Sequence, residues 1–158
     1  MAAMRAVMAI AAAEDMELES INISTAFLNG EIDTELYIRI PEGLKVEGEP
    51  VPGEDPKRWV LQLLKGLYGI KQGPHIWVLK LHSVLTTIGF EWIDCDHSVY
   101  VYRCGNAKII MPIHVDDLLI MSNSKTELTK IKAELATHFK IHDQGLTKLI
   151  LGIKIEWD

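Results

Sequence analysis

A pair of adjacent aspartates, Asp116 and Asp117, interrupts an otherwise apolar stretch and narrows the possible folds more than any other feature of the chain. Residues 108–115 and 118–121 on either side are rich in β-branched and aliphatic side chains, which predicts two strands, and the acids between them predict a tight turn. The Gly105-Asn106 pair predicts another turn leading back to a strand over 98–103, and Pro112 suggests an edge position or a bulge. Two neighbouring carboxylates beside buried strands repel each other unless a cation or hydrogen-bond donors offset their charge. A divalent metal is one remedy, and a plain solvated Asp-Asp turn is the other reading of these two residues.

The rest of the chain supplies helices for such a sheet. Residues 2–13 are strong helix formers that run into Glu14 and Asp15, as a packed helix would and a secretory leader would not. Strands are expected at 18–23 and 36–40, paired as a hairpin or bent ribbon around Asn29-Gly30. Residues 42–56, dense in Pro, Gly and acids, predict an exposed loop, followed by a short apolar segment at 59–64. Pro74 and Gly89 bracket a clear helix, a second long helix is expected over 125–139, and one or two strands around Gly152 close the chain. Helices alternating with strands indicate an α+β fold in which helices back an antiparallel sheet, and 158 residues suit a single domain.

Several function classes lose support. No apolar run reaches the eighteen residues of a membrane-spanning helix, so no membrane role is expected. Cys95 and Cys104 are too few for a disulfide framework and show no zinc-ligand pattern, which favours an intracellular setting, cytoplasm or nucleus. The net charge of −6 opposes binding to phosphate backbones. Charge is unevenly spread, however: residues 57–90 carry Lys57, Arg58, Lys65, Lys71 and Lys80 with no acid, whereas residues 1–56 hold twelve acids against three bases. Tryptophans 59, 77, 92 and 157 read as core residues before they read as base-stacking platforms.

Four stretches, taken together, carry a resemblance. Ser24-Thr25-Ala26-Phe27-Leu28-Asn29-Gly30, Leu67-Tyr68-Gly69-Ile70-Lys71-Gln72, His114-Val115-Asp116-Asp117 and Leu151-Gly152-Ile153 resemble the successive motifs of copia-type retrotransposon reverse transcriptases, in that family's order and spacing. The resemblance implies a ferredoxin-like polymerase palm spanning residues 1–158, with the fingers incomplete and the thumb and RNase H regions absent. It implies primer-template and dNTP as partners and Mg²⁺ as cofactor, held in a two-metal site. By the same resemblance, Asp116 and Asp117 are the metal-binding catalytic pair, with His114 where the family usually has Tyr. Phe27 lies beneath the incoming sugar, Lys71 and Gln72 lie near template and nucleotide, and Leu151 and Gly152 belong to the primer grip.

One position departs from the family. Five residues before Phe27 the family has an aspartate that bridges both metals, and this chain has Asn22. A neutral amide oxygen is a poor replacement for a carboxylate toward hard Mg²⁺. Glu19, three residues upstream, is expected on the opposite face of its strand and so does not compensate. An inactive or impaired palm is therefore expected. The alternatives are an active RNA-directed DNA polymerase domain that needs additional segments, and a domesticated interaction module that binds protein through strand edges.

Overall fold

The computed structural model describes residues 2–44, 59–150 and 152–156. Its centre is a six-stranded antiparallel sheet with strands in the order β4-β5-β6-β7-β1-β8. These strands are β1 (Glu17–Ile23), β4 (Glu91–Ile93), β5 (Asp96–Cys104), β6 (Ala107–His114), β7 (Asp117–Ser122) and β8 (Ile141–Leu146). Two small ribbons stand outside the sheet: β2 (Tyr37–Arg39) with β3 (Val60–Gln62), and β9 (Leu149–Ile150) with β10 (Ile153–Lys154).

Helices cover both faces of the sheet. Helix α1 (Ala2–Ala13) packs Met4, Val7 and Ala11 on Leu18, Leu119 and Met121. Helices α2 (Gly73–Ile88) and α3 (Lys125–His138) pack Trp77, Leu81, Leu85, Leu128, Ile131 and Leu135 on the other face, against Ile21, Ile23, Leu118 and Ile120. Successive residues of β7 thus enter opposite cores, which is why its sequence is continuously apolar instead of alternating. Pro74 lies in the first turn of α2, and Gly89, at φ 107°, takes the left-handed conformation that ends it. Ser124 caps α3 by accepting from the Glu127 backbone N–H at 3.4 Å.

Three expectations need correction. The strand over 18–23 does not form a hairpin with the strand near 36–40: β1 is an inner strand between β7 and β8, while β2 pairs with β3. Turn signals between two strands do not reveal that the first is claimed by partners far along the chain, here β7 and β8. Pro112 is neither at an edge nor at a bulge. It sits in the interior strand β6, where pairing with β7 lapses between Ile110↔Met121 and Ile113↔Leu118 and then resumes in unchanged register. The ladder breaks where proline has no N–H to give. Strands β4 and β8 were not expected, because one has only three residues and the other, Ile-His-Asp-Gln-Gly-Leu, is a polar edge. The loop expected over 42–56 lies mostly outside the described residues, as do Lys57, Arg58 and Trp157.

Two local clusters tie sheet to helices. Trp92 on β4 is sandwiched between the imidazoles of His82 on α2 and His97 on β5, with ring centroids 3.9 and 4.3 Å away and planes within 17°. The buried Lys132 ammonium on α3 contacts Glu19 of β1 and lies 2.6 Å from Asp143 of β8. Burial alone would raise the Asp143 carboxyl, but the Lys132 charge and hydrogen bond and the Gly145 backbone N–H outweigh it and hold the group below its ordinary value of 3.8.

Removing the cation should leave Glu19 with an uncompensated charge against the core. Lys132→Met is expected to cost about 3 kcal/mol in urea-induced unfolding, and combining it with Glu19→Leu should recover most of that loss. A depressed carboxyl pKa stabilises the fold at pH values above the unfolded pKa and loses this contribution as pH falls through the folded one. The Asp143 contribution is therefore expected at neutral pH and should fade on acidification below 3.8, whereas Asp143→Asn should flatten that part of the stability profile.

Candidate functional site

The aspartate turn joins β6 to β7. His114 and Asp117 form the closing pair of the hairpin, so Val115 and Asp116 are its two loop residues. Val115 has φ 59°. A positive φ is strained for a β-branched side chain, so contacts from outside must hold it. Two such contacts exist. The Ile23 backbone N–H donates to the Asp116 carbonyl at 2.8 Å, and the Trp77 indole Nε1–H donates to the Val115 carbonyl at 2.7 Å.

Register places Asn22 of β1 directly opposite Asp117 of β7, and the Asn22 Nδ2 donates to Asp117 Oδ1 at 2.8 Å. An ionised carboxylate only accepts, so the amide must turn its NH₂ end toward it. Leu18 and Asn22 share the α1 face of β1, while Glu19, Ile21 and Ile23 share the other, where Glu19 meets Lys132. Glu19 thus points away from the aspartates, as strand alternation requires.

After β1 the chain makes a 3₁₀ turn over Ala26–Asn29. The Asn29 side-chain amide donates to the Thr25 and Ala26 carbonyls at 3.1 and 3.2 Å, which closes the turn and buries Phe27. The Phe27 ring lies 4.2 Å from that of Tyr68, centroid to centroid. Loss of hydration raises the Tyr68 phenol pKa, and the nearby Asp116 charge raises it further, so Tyr68 remains neutral beside Asp116. Asn22 is thus joined to Asp117, and Phe27 meets Tyr68 near Asp116.

The remaining expected site residues lie elsewhere. Gln72 precedes the first turn of α2 and lines a separate open cleft of about 500 Å³ with Glu31, Asp33, His75 and Lys80. Lys71 is exposed beside it. Gly152 turns the β9–β10 ribbon, beyond which Ile155 packs on the α1 core, and Leu151 lies outside the described residues. Tyr68 and Trp77 were not expected at the site. Tyr68 sits within the quoted stretch Leu67–Gln72, but no pattern in the sequence marks its contact with Phe27. Trp77 reads only as an apolar helix residue.

The donor set does not fit a pair of Mg²⁺ ions. Among the described residues no three His, Cys, Asp or Glu side chains converge as a metal cluster. One oxygen of Asp117 is already engaged by an amide donor that no cation can replace without turning Asn22 over.

Phe27 is held from below by a close backbone approach. Gly66 donates its N–H to the Gly30 carbonyl at 2.9 Å, and a Cβ on Gly66 would fall 2.5 Å from the Phe27 carbonyl oxygen. Gly66→Ala is therefore expected to push the 3₁₀ turn off β1 and to destabilise the chain by about 1–3 kcal/mol. Thermal unfolding would measure it, and an unchanged midpoint would show that the turn is free to move.

Comparison with known proteins assigns the chain to a family. The sequence matches the family described as reverse transcriptase (RNA-dependent DNA polymerase) over residues 1–158. It is 36% identical over 156 residues to the retrovirus-related Pol polyprotein from transposon TNT 1-94 of Nicotiana tabacum, covering 98% of this chain and 11% of that protein. It is 31% identical over 150 residues to the Pol polyprotein from transposon RE1 of Arabidopsis thaliana, covering 95% of this chain and 10% of the relative. The chain thus spans about a tenth of the length of these Pol polyproteins. With the match running across the whole sequence, this chain belongs to the reverse transcriptase (RNA-dependent DNA polymerase) family, on its copia-type retrotransposon side.

Proposed function

We propose that this chain is a ferredoxin-like polymerase palm of copia-type origin whose metal centre has been disabled at Asn22. In this reading primer-template and dNTP are the ancestral partners. Phe27 is the floor beneath the incoming sugar, Lys71 and Gln72 face template and nucleotide, and Leu151-Gly152 belongs to the primer grip.

The observation that carries the reading is the Asn22 Nδ2 to Asp117 Oδ1 hydrogen bond. A carboxylate at position 22 would face Asp117 across β1 and β7, and the like charges would call for a cation between them. The amide removes one charge and supplies a donor to the other, so the pair is satisfied without any ion. The same substitution therefore lowers the affinity of the site for Mg²⁺ and removes the repulsion that makes an ion necessary.

Asn22→Asp restores the missing charge. One more unit charge about 4 Å from an ion is worth about 1–4 kcal/mol, so Mg²⁺ binding by calorimetry should tighten about tenfold or more. Primer extension on an RNA template should be absent with the native chain and measurable, and Mg²⁺-dependent, with Asn22→Asp. Robust extension by the native chain would identify a working polymerase and overturn the reading. If neither protein binds primer-template with salt-dependent affinity, the chain is an interaction module instead.

A further inference from the structure

Two-residue hairpin loops take two common forms, which differ by a flip of the central peptide. Both have positive φ at the first loop residue, and only type I′ also has it at the second. Val115 has φ 59° and Asp116 does not have positive φ, which is the sign pattern of type II′. That first position normally belongs to glycine, and valine is among the residues least suited to it. The sequence of the loop does not select this form, so something outside the loop must.

The peptide that distinguishes the two forms is the one between Val115 and Asp116, and its carbonyl oxygen is the atom that accepts from Trp77 Nε1 at 2.7 Å. On the side facing this carbonyl the turn is not close-packed: a cavity of about 350 Å³ lies against it, bounded by Phe27, Trp77, Val78, Leu81 and Val115. The donor itself is fixed. Trp77 is 1% exposed, and the Phe139 ring meets it edge-on at 5.4 Å between centroids.

We infer that Trp77 is the positioning residue of the aspartate turn: its indole N–H, by holding the Val115 carbonyl, selects the type II′ form and so aims Asp116. A buried tryptophan that served only as core would need its ring volume and any acceptor at all. This one has as its partner the single carbonyl that sets the turn form. The inference rests on the proposed reading only in taking Asp116 and Asp117 as the reactive pair. Trp77, buried in the core, acts through the turn.

Replacing the Trp77 indole with benzothiophene, by genetic encoding of benzothienylalanine in the full chain, keeps the bicyclic ring and removes the N–H. Amide exchange followed by NMR should then show the Ile23 N–H, which donates to the Asp116 carbonyl, losing protection by about tenfold. The Ile110 N–H, deep in the sheet, should be unchanged. Adding Val115→Gly, which favours type II′ by itself, should restore the Ile23 protection. In the Asn22→Asp background the isostere should lower kcat and leave KM for dNTP in place. Unchanged Ile23 protection in the isostere would overturn the inference and make Trp77 a core residue. Exchange is read without polymerisation, so failure of Asn22→Asp to extend primers would sink the proposed function and leave the assignment of Trp77 standing.

Discussion

The register of β1 on β7, from Glu17↔Ser122 to Asn22↔Asp117, decides where every chemical group around the turn lies. A slip of one residue would turn each side chain of β1 to the other face. Glu19 would then leave Lys132, Ile21 and Ile23 would leave the α2 and α3 core, and Asn22 would no longer oppose Asp117. The register is secured because β1 is buried on both faces and paired on both edges, with β7 on one side and β8 on the other. The bulge between Ser20 and Ile21 on the β8 side absorbs irregularity without disturbing the β7 side.

From that strand outward, polar groups are placed in pairs that cancel. Lys132 answers Glu19 and Asp143 on the helical face, and Asn22 answers Asp117. Ser20 donates to the Gln144 side chain across to β8 at 2.9 Å. Exposed aromatics follow the same economy. Trp92 is 40% exposed, yet both faces of its ring are taken by His82 and His97, so it can offer an incoming base only an edge.

Much of this was legible in the sequence where local chemistry decides. The three helices follow from the helix formers over 2–13, from the Pro74 and Gly89 bracket and from the helical run over 125–139, and the strands flanking the aspartates follow from their β-branched runs. The departure at Asn22 is visible only against the family pattern, but its consequence is elementary chemistry. What the sequence did not reveal is long-range. The partners of β1, the Lys132 contact 113 residues from Glu19 and the Trp77 bond 38 residues from Val115 all depend on register, which no local window contains. Pro112 misled because its missing donor suggests an edge or a bulge, when a local lapse in an interior ladder suffices.

The amide at position 22 also changes how the chain comes together. A cluster of ionised acids is a frustrated contact until its counter-ions arrive, and strands that carry such a cluster close against mutual repulsion. Here the two strands meet through a neutral donor and a single anion. Consolidation of these two strands therefore needs no divalent salt at this corner, where the carboxylate meets its donor within the fold itself.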